Sequence, residues 1–138
     1  ADFKRYGFIK LEQDNKIEKV ILCSGKIYFD LLEGREKIKN NKVFFIRVEQ
    51  LYPFPVKTLA KFLKRFSKKA NFYWCQEEPQ NMGAWNSAKN YIEWTLNHIK
   101  AKNTKVSYIG RPPAASPATG YLKKHLAQQK EIIEKVLS

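Results

Sequence analysis

Two adjacent glutamates, Glu77 and Glu78, stand in "FYWCQEEPQNMGAW" (residues 72–85), and carboxylates so placed are the first candidates for chemistry. A carboxylate pair can share a proton, flank a scissile bond or ligate a hard cation. Side chains alternate along a strand, however, so neighbours leaving one project to opposite sides and do not easily share a proton. One acid is expected to accept N–H groups of its own loop. The other would pair with a basic residue on a neighbouring strand, Arg47 or Arg111. Direct catalysis by either is the alternative.

The remaining reactive groups offer less. Cys75 lies among Phe72, Tyr73 and Trp74, and such burial raises a thiol's pKa. Cys23 lies in a similar apolar run, so both read as buried reduced thiols in a cytosolic setting. There is no Cys-x-x-Cys, and His98 and His125 sit alone on lysine-rich helical faces, so no metal site is expected. "SGK", after the first apolar run, has one glycine and neither the GxGxxG fingerprint nor a P-loop. Ser24 is expected to cap the helix that follows. Ser116 is expected to cap the last helix, with Pro117 at its first position and Gly120 able to delay its start by a turn.

These residues need elements to hold them. "VILC", "VFFIRV", "FYWC" and "VSYI" are apolar runs, mostly unalternating, as suits strands covered on both faces. Between them apolar residues recur at helical spacing: Ile27, Tyr28, Leu31, Leu32 and Ile38, weakened near Gly34; then Val56, Leu59, Phe62, Leu63 and Phe66. A third stripe runs through Trp85, Ala88, Tyr91, Ile92, Thr95, Leu96 and Ile99. The last carries Leu122, Leu126, Gln129, Ile132, Ile133, Val136 and Leu137. Strand alternating with helix predicts a three-layer α/β/α fold with a mostly parallel central sheet. Residues 17–138 form this domain. Residues 1–16 lead in from an upstream domain, with an edge strand possible at Gly7 to Leu11, and the missing initiator methionine fits a piece of a longer chain.

A parallel sheet gathers the loops after its strands on one rim, where sites of such folds lie. That rim would hold "SGK", "EQLYPFP", "QEEPQNMG" and "GRPPAASPATG", rich in proline, aromatics and acids. The opposite rim would hold "EGREKIKNNK", "KRFSKK" and "KAKNTK", a solvated surface. Leu51, Tyr52, Phe54, Met82 and Trp85 lie in or beside the first rim, and burying one such side chain fully is worth about 1.5–3 kcal/mol. Several left exposed would make a protein interface.

Composition sets the outer limits. A chain of 138 residues suits one compact domain. No apolar run reaches the roughly 18 residues of a transmembrane helix, and the start lacks a signal peptide's apolar core. The net charge of +13 invites a nucleic-acid reading. Its lysines are dispersed and mixed with asparagine, with no zinc finger or RNA-recognition signature, so no specific nucleic acid and no membrane is expected. A free-standing basic α/β module binding RNA or an acidic protein partner is the alternative.

"VILCSGKIYFDL", "RVEQLYPFP", "FYWCQEEPQNMGAW" and "YIGRPPAASPATGYLKKHLAQQKEII" occur in that order over residues 17–138. Together they resemble the C-terminal end of the 2-oxoglutarate dehydrogenase decarboxylating component. The resemblance implies a transketolase C-terminal-like domain. It implies an oxidoreductase of the tricarboxylic acid cycle whose full chain decarboxylates 2-oxoglutarate with thiamine diphosphate and magnesium. The succinyl group passes to the lipoyl group of the second, dihydrolipoyl succinyltransferase, component. In this family the cofactor is held between the subunits of a homodimer by two preceding domains, so the fragment alone is expected to bind none and to be inactive.

The resemblance further implies that Tyr52, Phe54, Glu77, Glu78 and Arg111 hold the domain against the upstream domains and the dimer partner. Some members bind an acetyl-CoA or nucleotide effector beside the "EQLYPFP" turn, which nominates Gln50 and Lys57. Lys57 is a single cation where those members can carry an arginine cluster. The location implied is the bacterial cytoplasm, or the mitochondrial matrix in a eukaryote.

Overall fold

The computed structural model describes residues 10–49, 51, 54–114 and 122–138. Four strands and four long helices alternate: β1 (Lys19–Cys23), α1 (Ile27–Ile38), β2 (Val43–Arg47), α2 (Val56–Lys64), β3 (Asn71–Pro79), α3 (Trp85–His98), β4 (Val106–Arg111) and α4 (Leu122–Leu137). The strands form one sheet in the order β2-β1-β3-β4, every pair parallel. The expected three-layer α/β/α fold is present. Alternation along the strands explains why the apolar runs look continuous. Val20, Leu22, Phe44, Ile46, Phe72 and Trp74 face the layer of α2 and α3, whereas Ile21, Cys23, Phe45, Cys75 and Ile109 face α1 and α4.

The helical stripes hold in outline, with instructive exceptions. In α1, Arg35 is 0% exposed and Ile38 is 55% exposed, reversing what polarity alone would assign. Arg35 lies over the Phe45 ring at 4.9 Å and donates Nη1 to the Val43 carbonyl at 3.2 Å, so its stem packs as an apolar chain while its head is bonded. Ile38 lies at the end of α1 in an open groove shared with Leu126 and Ile133 of α4. The stripe weakens at Gly34 because α4 comes close there. A Cβ on Gly34 would stand 2.7 Å from Ile133 Cγ2.

Caps depart from expectation too. The residue capping α1 is Lys26 and no side chain bonds there, so Ser24 is not its cap. Ser116, Pro117 and Gly120 lie outside the described residues, as does most of the possible strand at residues 7–11. The other end of α4 is held from afar. Lys19 Nζ donates to the carbonyls of Val136 at 3.3 Å and Ser138 at 2.9 Å, so the first strand grips the last helix.

Candidate functional site at the carboxyl rim

β3 does not stop before the glutamates. It runs to Pro79, and its register against β4 shifts between Gln76 and Pro79, so Glu77 and Glu78 form a bulge opposite Gly110 and Arg111. Across the bulge the two carboxylates still part, Glu77 Oε1 meeting Gln129 of α4 and Glu78 Oε2 lying by Gly83.

Glu77 turns toward α4. Its Oε1 accepts Gln129 Nε2 at 3.1 Å, and the same nitrogen donates to Asp30 Oδ2 at 3.2 Å. Arg111, buried at the end of β4, donates Nη1 to the Glu77 carbonyl at 2.8 Å and Nη2 to Gln129 Oε1 at 3.1 Å. Arg111 Nη2 also stands 3.3 Å from His125 Nε2. An arginine can only donate, so a hydrogen bond here uses the lone pair of that histidine nitrogen as acceptor. Five residues from α1, β3, β4 and α4 thus form one network. The expected Arg111–Glu77 partnership exists through the carbonyl rather than the carboxylate, because Gln129 occupies the carboxylate. Arg47 turns away, to Glu49 at 3.6 Å and over the rings of Tyr28 and Phe29. His125 is not alone, as its sequence position suggested. It and Gln129 are four residues apart on one face of α4, a spacing that could have revealed them.

Glu78 turns to the α2–α3 side and is exposed. Beneath it lies Gln76, buried and missed by sequence reasoning. Its Oε1 accepts Trp74 Nε1 at 2.9 Å, and its Nε2 donates to the carbonyls of Pro79 at 2.9 Å and Met82 at 2.8 Å. The chain folds over it through Gly83, whose φ of +69° and close approach to Glu78 Oε2 and Gln76 Oε1 favour glycine. Asn81 then clamps the rim, accepting from Ala114 N at 2.9 Å and donating to Ala114 O at 2.8 Å. Tyr108 donates its hydroxyl to the Arg111 carbonyl at 2.6 Å, and burial pushes its pKa up to about 12, aided by neighbouring Cys75. Burial, followed by Cys23 and Glu77 nearby, pushes the Cys75 thiol far above its ordinary range, which removes it as a nucleophile.

A cavity of about 300 Å³ opens at the ends of β1 and β3, lined by Ser24, Lys26, Leu51, Gln76 and Glu78 among others. The chain reverses its winding between these two strands, which makes this the switch-point crevice of the sheet. Lys57 is exposed on α2 and does not line the cavity. Gln50 and Tyr52 lie outside the described residues. Phe54 and Trp85 are buried rather than displayed, Phe54 stacking on Tyr91 at 5.1 Å. The aromatic rim expected from sequence is therefore mostly core where it is described. Among the described residues, no three of His, Cys, Asp and Glu converge as a metal site.

A parallel sheet wound in both directions from β1, with its built rim at the strands' carboxyl ends, defines a doubly wound α/β domain. A solved chain described as "Split gene transketolase, inactive beta4 tetramer" superposes with a TM-score of 0.53, covering 94% of this chain and 42% of that one. At 12% identity the likeness concerns the fold alone. Sequence narrows the class. The family profile described as 2-oxoglutarate dehydrogenase C-terminal matches residues 4–137, and the chain belongs to that family. The 2-oxoglutarate dehydrogenase E1 component of Brucella anthropi is 54% identical over 137 residues, and that of Brucella abortus 57%. Each match covers 99% of this chain and 14% of the relative, so the chain spans about one-seventh of those proteins.

Proposed function

We propose that the chain is the C-terminal assembly domain of a 2-oxoglutarate dehydrogenase decarboxylating subunit. In the full-length polypeptide that subunit would release carbon dioxide from 2-oxoglutarate with thiamine diphosphate and magnesium, then succinylate the lipoyl group of the second component. The supporting observation is that buried and half-buried polar side chains of the rim bond chiefly to one another and to the rim's own backbone. Arg111, Gln129 and Glu77 bond among themselves, and Gln76 supports the turn above it. Among the described residues of the rim, no acid and base are left facing each other across a reacting atom.

The cofactor does not fit the described residues. Magnesium bound to a diphosphate requires several converging oxygen ligands, and the rim acids instead point to opposite faces of the sheet. We therefore assign the cofactor to the upstream part of the subunit, and to this domain the task of holding that part and its dimer partner in place.

Glu78 is the test, because its carboxylate is exposed on this rim and has no partner among the described residues. In the full-length subunit, Glu78→Ala is expected to weaken dimerisation about ten-fold or more, as loss of a good interface contact does, with kcat per dimer kept within a small factor. Sedimentation and steady-state kinetics together decide it. Normal dimerisation with kcat reduced about a thousand-fold would make Glu78 a catalytic group and sink the assembly reading.

A further inference from the structure

On the sheet face away from α1 and α4, two rows of side chains point outward at the same spacing. Lys57, Lys61, Lys64 and Lys68 follow one another by four, three and four residues along α2 and the turn beyond it. All are exposed, and none of their ammonium groups has a partner among the described residues. Ser87, Tyr91, Trp94 and His98 repeat that spacing on α3, with Tyr91 44% and Trp94 56% exposed. Residues three and four apart share one helix face, so each row is a continuous stripe.

The rows lie side by side. Phe54, just before α2, stacks on Tyr91 with the rings 7° from parallel. Beyond the helices, Lys102 N donates to the Ser67 carbonyl at 2.8 Å and Asn103 Nδ2 to the Ala70 carbonyl at 3.0 Å. Both helices return antiparallel to parallel strands, so the stripes also run the same way. Trp94 is held in place by His98, stacked at 5.0 Å. An exposed aromatic already fixed by a neighbour loses little freedom on docking.

We propose that this face docks an amphipathic helix of a partner protein, its apolar side on Tyr91, Trp94 and His98 and its flanking acids on the α2 lysines. The shared spacing is that of a helix surface, so one partner helix could meet both rows along their length. Charge complementarity selects its chemistry: the chain carries +13, and this row has no acids of its own to satisfy it. A second copy of the chain is disfavoured, since it would lay lysines against lysines. Single-stranded RNA is disfavoured because Tyr91 and Trp94 already give one ring face each to Phe54 and His98. The inference does not depend on the assembly role proposed for the carboxyl rim.

The test uses the full-length polypeptide and three fluorescent probes: a helical peptide of about 18 residues with a leucine stripe flanked by glutamates, the same peptide with lysines for the glutamates, and an oligouridine. Anisotropy is expected to show the glutamate peptide bound at least about ten-fold more tightly than the lysine peptide, with affinity falling as salt rises. Trp94→Ala should weaken the glutamate peptide about ten-fold, and the combined Lys57→Glu, Lys61→Glu and Lys64→Glu variant should instead prefer the lysine peptide. Circular dichroism melts show whether each variant is folded, and these exposed positions are expected to leave folding intact. Equal binding of the two peptides, no effect of charge reversal, or tighter binding of oligouridine than of either peptide would overturn the proposal.

Discussion

Gln76→Leu keeps roughly the volume of the side chain but orphans the buried Trp74 indole N–H and Pro79 carbonyl and the part-buried Met82 carbonyl. Each such orphan costs about 1–3 kcal/mol, so urea unfolding is expected to show a loss of about 3 kcal/mol or more. A loss below about 1 kcal/mol would mean that water replaces the amide. Tyr108 makes a pH-dependent prediction. Its pKa rises from about 10 in the unfolded chain to about 12 in the fold. Between those values the unfolded chain has released a proton that the folded one keeps, so stability falls as pH rises through that window. Tyr108→Phe should lack this contribution, and its unfolding free energy should decline less steeply with pH. Parallel slopes for the two proteins would reject it. Sequence announced Glu77 and Glu78 because carboxylates beside a proline are conspicuous. It could not announce Gln76, whose importance lies in three bonds made after the chain has turned back over it.

At the scale of elements, the meeting of α1 and α4 is the sharpest test. Alanine should improve a helix over glycine by about 1 kcal/mol, yet at Gly34 it would drive into the β-methyl of Ile133. Branching at Cβ leaves that methyl little room to rotate. Gly34→Ala is therefore expected to lower stability by about 1–2 kcal/mol, measured by thermal or urea unfolding. Ile133→Leu, which lacks the facing methyl, should restore much of it, and a stabilising Gly34→Ala would show that α4 simply shifts. Element type and order were readable from the chain because two-sided strands are nearly pure apolar runs. Boundaries and exceptions were less so. β3 outlasts its apolar run by four residues because its bulge still pairs with β4, and Arg35 hides because burial of its head requires the Val43 carbonyl from another element. Tyr91 reads as a core residue of the third helical stripe, yet it is 44% exposed.

For the whole molecule, the proposed role makes a plain demand on residues 1–138 alone. Titration calorimetry with thiamine diphosphate and magnesium is expected to show no binding to this piece. Micromolar affinity would move the cofactor site into the domain and undo the assembly assignment.

The grip of Lys19 on the last turn of α4 also bears on how the protein is made. The sheet surface formed by Ile21, Cys23, Cys75 and Ile109 is closed by Ile132, Val136 and Leu137, which a ribosome delivers more than a hundred residues after β1. Until then a growing chain carries an uncovered apolar layer and a lysine waiting for its carbonyls. Synthesis that stalls before α4 leaves the kind of sticky intermediate that chaperones and proteases seize.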